Sequence, residues 1–138
     1  MGLHEDILAL ARHFGGSNKE CAGQNDLLGV FGLEGSDATD FLEDYSKTFG
    51  VDLSEMRWEF HFLADEPPGH RRVLPVDVHG NVIPWQPITL DELVRAAEVG
   101  RWECDYPEHR IRYSTWSRFT LFVPIVLFAL LLLLGCLA

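Results

Sequence analysis

Six histidines, three cysteines and one serine ahead of an acidic helix are the residues whose chemistry could define this chain. The histidines are His4, His13, His61, His70, His79 and His109, and no two stand three or four residues apart. A zinc site read from sequence needs that clustering, and neither Cys21 nor Cys104 has a Cys-x-x-Cys partner. The spacing predicts no metal centre. Ser36 lacks the Gly-x-Ser-x-Gly elbow that exposes a nucleophile, and Cys104 sits in a polar flank without an assigned base. Gly15-Gly16 and the glycines from Gly29 to Gly35 make turns without the Gly-Lys-Ser/Thr of a phosphate loop. No catalytic residue is assigned on these patterns. What remains is charge: Glu34, Asp37, Asp40, Glu43 and Asp44 gather carboxylates on one short stretch, a surface that is either simply solvated or a candidate for partner docking.

The charge is unevenly spread. The net charge is −10, yet all 21 acidic residues lie at or before Glu108, and Arg110, Arg112 and Arg118 lie beyond it. The first 108 residues therefore hold eight basic residues against 21 acidic ones, a net of −13. Such a surface repels nucleic acid, whose binding depends on Lys and Arg neutralising phosphates. The partner implied is a protein with a basic surface.

The elements that must position this charge are helical. Leu3, Ile7, Leu10 and Phe14 share one face and predict a helix over about His4–Phe14, ended by Gly15-Gly16-Ser17-Asn18. A loop is expected up to Gly35. Ser36 is then read as the N-cap of a helix with Ala38, Phe41, Leu42, Tyr45 and Phe49 as its apolar stripe and Gly50 as its stop. Trp58, Phe60 and Phe62 form an aromatic group. Residues 65–87 hold five of the seven prolines, and Val76-Asp77-Val78 and Val82-Ile83 flank His79-Gly80-Asn81 as the arms of a short hairpin. Thr89 and Glu92 have capping-box spacing ahead of Leu90, Leu93, Val94 and Ala97, and Gly100 ends that helix.

Residues 119–138 read as a different kind of element. They carry no charge, and a helix of that length spans about 30 Å, the thickness of a hydrocarbon core. Residues 103–118 before them form a basic and aromatic tether, with Arg110, Arg112, Tyr113, Trp116 and Arg118 expected at the membrane interface. The expectation is a tail-anchored, single-pass protein of the bacterial inner membrane, with the lipid bilayer as one partner and the acidic domain, 1–102, in the cytoplasm. The uneven cysteine set, Cys21, Cys104 and Cys136, agrees with a reducing compartment.

Gly32 to Leu53 (GLEGSDATDFLEDYSKTFGVDL) and Pro87 to Trp102 (PITLDELVRAAEVGRW) resemble acyl carrier proteins, and more closely an uncharacterised bacterial offshoot, domain-of-unknown-function family 1493. The resemblance implies a mainly α, small acyl-carrier-like helical bundle, here with a Pro-rich insertion and a transmembrane helix. It also implies a serine in an Asp-Ser-Leu motif that bears phosphopantetheine at the start of the second helix. Counting back from Phe49-Gly50, Gly35 takes the serine's place and Glu34 the aspartate's. Ser36 stands one residue late, about 100° around the helix, and Asp37 follows it in place of leucine. The expected function is a carrier-like protein–protein interaction module, without cofactor or catalysis. The alternatives are an acyl carrier bearing phosphopantetheine on Ser36, and a non-catalytic subunit of a membrane enzyme.

Overall fold

The computed structural model describes residues 2–62, 71, 73–114 and 116–136, the side chains of 116–121 excepted. Among them the chain forms five α-helices, one 3-10 turn and a two-stranded sheet: α1 (Leu3–Gly15), α2 (Leu27–Phe31), α3 (Ser36–Phe49), the 3-10 turn Trp58–Phe60, β1 (Val73–Val76), α4 (Leu90–Val99), β2 (Arg110–Tyr113) and α5 (Trp116–Cys136).

Helix α1 is the hub, packing on α2, α3 and α4. Its buried centre is Ile7, Leu8 and Ala11, with Leu3, Leu10 and Phe14 partly buried at the margins. Of the stripe expected from the sequence, Ile7 lies at the centre of the buried face and Leu3, Leu10 and Phe14 lie along its edge. Helix α3 presents Ala38, Phe41, Leu42 and Tyr45 to the core, as the periodicity predicts. The Tyr45 hydroxyl donates to the Leu93 carbonyl at 2.6 Å, tying α3 to α4 inside the core. Burial pushes the Tyr45 phenol far above its ordinary range.

Helix α4 begins as expected. The Glu92 N–H donates to Thr89 Oγ1 at 3.2 Å, and the Thr89 N–H donates to Glu92 Oε2 at 2.9 Å, so two orphan helix donors are satisfied reciprocally. Its C-cap, Gly100, has φ +86°, and its carbonyl accepts from the Asp52 N–H at 2.9 Å. The Trp102 N–H in turn donates to the Asp52 carbonyl at 2.8 Å, which draws Trp102 into the core.

The fold departs from the expected mainly helical carrier-like bundle in two places. Helix α2 occupies part of the predicted loop; at five residues it is too short to display a periodicity. Its start is pinned by tertiary contact, the Leu27 N–H donating to the Ile88 carbonyl at 2.9 Å. The second departure is the sheet. β1, from the Pro-rich stretch, pairs antiparallel with β2, which was expected to be tether, in the register Val73↔Tyr113 through Val76↔Arg110. The predicted local hairpin survives as one bridge, Val76↔Val82, closed by Asp77 and Asn81 around Gly80. Pro67 and Pro68 of that stretch lie outside the described residues.

The membrane expectation is also corrected. Among the described residues no helix is long and apolar enough to cross a membrane. The side chains of residues 122–136 on α5 are all exposed. The transmembrane, tail-anchored and inner-membrane readings, and with them the cytoplasmic placement of the domain, are therefore withdrawn.

Candidate functional site

The acidic face of α3 is assembled by helical geometry alone. At 100° per residue, Asp37, Asp40, Glu43 and Asp44 fall within an arc of about 120° opposite Ala38, Phe41, Leu42 and Tyr45. Glu34 stands just ahead of the helix, and all five carboxylate residues are exposed. The helix also compensates part of its own charge. Lys47 Nζ donates to Glu43 Oε1 at 2.6 Å across one turn, and this hydrogen bond together with the lysine's charge holds the Glu43 carboxyl below its ordinary range. Among the described residues no salt bridge engages Glu34, Asp37, Asp40 or Asp44. The compensating Lys47 was legible as a glutamate–lysine pair four residues apart.

Ser36 is the first residue of α3 and is exposed; the N-cap is Gly35, at φ +55°, and no side chain caps the helix. The cap position expected at Ser36 therefore moves back by one residue. A positive φ is open to glycine at little cost, so the turn places the cap where Gly35 is. The Ser36 hydroxyl is left without a capping role.

Beside the start of α3 lies a cavity of about 280 Å³. Asp26, Leu28 and Gly29 of α2 and its cap line one side, Leu33 and Glu34 the approach to α3, and His61, Phe62, Trp85, Gln86 and Pro87 the other side. The second wall is rigidly built. The Gln86 N–H donates to the Phe60 carbonyl at 2.7 Å, laying 85–87 alongside 60–62. Arg71 stacks on the Trp85 ring at 3.7 Å while donating to the carbonyls of Glu59 and Ile83, each at 2.8 Å.

His61 sits at the back of this wall, and its hydrogen bonds fix its state. Nδ1 lies 2.9 Å from the Gln86 carbonyl, which can only accept, so Nδ1 carries the proton. Nε2 lies 2.8 Å from the Tyr106 hydroxyl. That hydroxyl already accepts the Trp102 indole N–H at 3.0 Å and the Arg57 N–H at 3.2 Å, and so donates its own proton to Nε2. Both ring nitrogens are engaged, which leaves His61 no free position as a general base. Burial depresses its pKa, outweighing the Gln86 carbonyl and the charges of Glu92, Asp26 and Glu59, which act the other way. Cys104 nearby is raised by burial, so its thiol stays protonated.

A stability consequence follows from His61. Its folded pKa lies below the unfolded value of about 6.5, so the unfolded chain binds the proton more readily. Stability is therefore full above that value and falls as pH drops through it toward the folded pKa. Urea melts at stepped pH are expected to show this decline, and His61→Gln, which cannot titrate, is expected to flatten it. An equally steep decline in the variant would remove His61 as its source.

The remaining predicted positions separate. Arg110, Arg112 and Tyr113 are exposed on β2, and Arg112 donates to the Gly80 carbonyl at 3.4 Å. Trp116 and Arg118 belong to the backbone of α5, and their side chains lie outside the described set. No salt bridge among the described residues joins Arg110 or Arg112 to the acidic face. The His61–Tyr106–Trp102 cluster has no signal in the sequence beyond the aromatic content of its segments, because its members meet only through tertiary contact.

No curated protein and no solved structure matches the chain. A family model described as "Protein of unknown function (DUF1493)" matches residues 8–105, which takes in most of α1, all of α2 to α4, the cavity and the acidic face. The chain belongs to this family.

Proposed function

We propose that this chain is a protein–protein interaction module that docks a basic partner surface on the acidic face of α3, without catalysis of its own. The observation that supports this reading most is the exposure of Glu34, Asp37, Asp40 and Asp44 opposite the buried stripe of α3 with no salt bridge to them among the described residues. In this it is carrier-like: an acidic helix is presented to lysines and arginines of another protein. The attraction acts over a Debye length of roughly 8 Å at physiological ionic strength, so it guides encounter and orientation more than it adds affinity.

The test is binding of hexalysine to the full chain, followed by titration calorimetry at rising salt. Joint reversal of Asp37, Asp40 and Asp44 to lysine is expected to weaken binding by at least about ten-fold, while Ser36→Ala leaves it unchanged. Binding that ignores the reversal would sink the reading.

One observation favours a second reading, in which Ser36 carries phosphopantetheine: its hydroxyl is exposed and is not used as the helix cap. Intact mass after incubation with a phosphopantetheinyl transferase and coenzyme A decides it. A gain of one arm, absent in Ser36→Ala, would make the chain a carrier; an unchanged mass would leave the docking reading alone.

A further inference from the structure

We infer that the cavity between α2, the start of α3 and residues 85–87 receives a single arginine or lysine side chain from a protein segment. This deepens the proposed docking function and rests on it for the protein nature of the occupant. The walls and the rim have different chemistry. Leu28, Leu33, Phe62 and Trp85 supply apolar surface, while Asp26 and Glu34 supply carboxylates, and neither is engaged in a salt bridge among the described residues. Among the described residues no lysine or arginine lines the cavity, and the histidine there is held neutral by its two hydrogen bonds. An apolar wall with an anionic rim suits an occupant with a hydrocarbon stem and a cationic head, which describes Arg and Lys among the side chains.

Size and rigidity agree with that occupant. At about 280 Å³ the cavity lies near the lower end of the range for small-molecule pockets. Trp85 does not need to reorganise, because Arg71 already holds it from a position fixed by the carbonyls of Glu59 and Ile83. Gly29 adds a second constraint. A Cβ there would stand 2.8 Å from Asp26 Oδ2, so the absence of a side chain is what leaves the Asp26 carboxylate its place at the rim. The cavity is also contiguous with the acidic face through Glu34, so a partner lying along α3 can place one basic side chain in it.

The experiment follows amide and indole signals of the isotope-labelled full chain, kept in mild non-ionic detergent, during titration with acetyl-Leu-Arg-Leu-amide. Perturbations are expected at Leu28, Leu33, Phe62 and the Trp85 indole. Replacing the arginine by citrulline, which keeps shape and loses charge, is expected to weaken binding about ten-fold. Glu34→Gln and Asp26→Asn are each expected to weaken it several-fold, and Gly29→Ala to do so by displacing Asp26. Equal binding of the citrulline peptide, perturbations centred elsewhere, or no perturbation at millimolar peptide would each overturn the inference. Arginine amide binding as tightly as the peptide would assign the cavity to a free small cation and overturn the protein occupant. Loss of hexalysine binding in the α3 reversals, with the peptide unaffected by Glu34→Gln and Asp26→Asn, would remove the cavity and keep the docking face.

Discussion

Phe41→Ala is expected to destabilise the domain by about 3–5 kcal/mol, a large part of the roughly 5–15 kcal/mol that holds a domain of this kind folded. Phe41 has no exposed surface, and its ring meets Phe14 of α1 edge-on at 6.0 Å and Tyr45 in a stacked pair at 6.3 Å. Alanine removes the ring and leaves a void at the α1–α3 contact, so both the transfer free energy and the lost dispersion contacts count. Urea denaturation followed by tryptophan fluorescence measures the change. A loss below about 1 kcal/mol would mean that α1 and α3 close over the void or that the ring is less buried than this packing requires.

Tyr106→Phe is expected to cost about 2–4 kcal/mol, although it deletes a single oxygen. That oxygen serves three groups at once: it accepts from Arg57 and Trp102 and donates to His61. Its removal strands the Trp102 indole N–H, on a residue 3% exposed, and leaves Nε2 of His61 bare in a partly buried site. A bare Nε2 can take a proton more readily, because the Tyr106 O–H stabilised the neutral ring. The His61 pKa is then expected to rise toward its ordinary value, and the acid-side loss of stability to shrink. Denaturation melts at neutral and mildly acidic pH read both effects. A cost under about 0.5 kcal/mol with an unchanged pH profile would show that the three contacts carry no joint weight.

Helices α3 and α4, their C-terminal ends and the cap of α4 were written locally. Gly50 and Gly100 close α3 and α4 at positive φ, Thr89 and Glu92 cap α4, and the apolar stripe of α3 sets its acidic face outward, all within spans of a few residues. The sequence could specify these because helix periodicity and capping are interactions between near neighbours. The acidic character of the first 108 residues and the family were likewise present in the residue string.

Other features exist only by virtue of distant parts of the chain meeting. Arg110 to Tyr113 become a strand because β1 is there to pair with them, and nothing in RIRY alone separates a strand from a basic linker. α2 is a helix of one turn whose entry is held by Ile88. The cap of α3 fell on Gly35 rather than Ser36 because the backbone turn after α2 requires a positive φ at that point. The cavity and the His61 network join residues 26–34, 57–62, 85–87 and 102–106, separations over which sequence carries no spacing rule. The sequence by itself determined helices α1, α3 and α4 and the acidic face of α3; the tertiary structure decided α2, the sheet and which carboxylates share a rim with an apolar wall, because these depend on long-range contacts that close only once the core has formed.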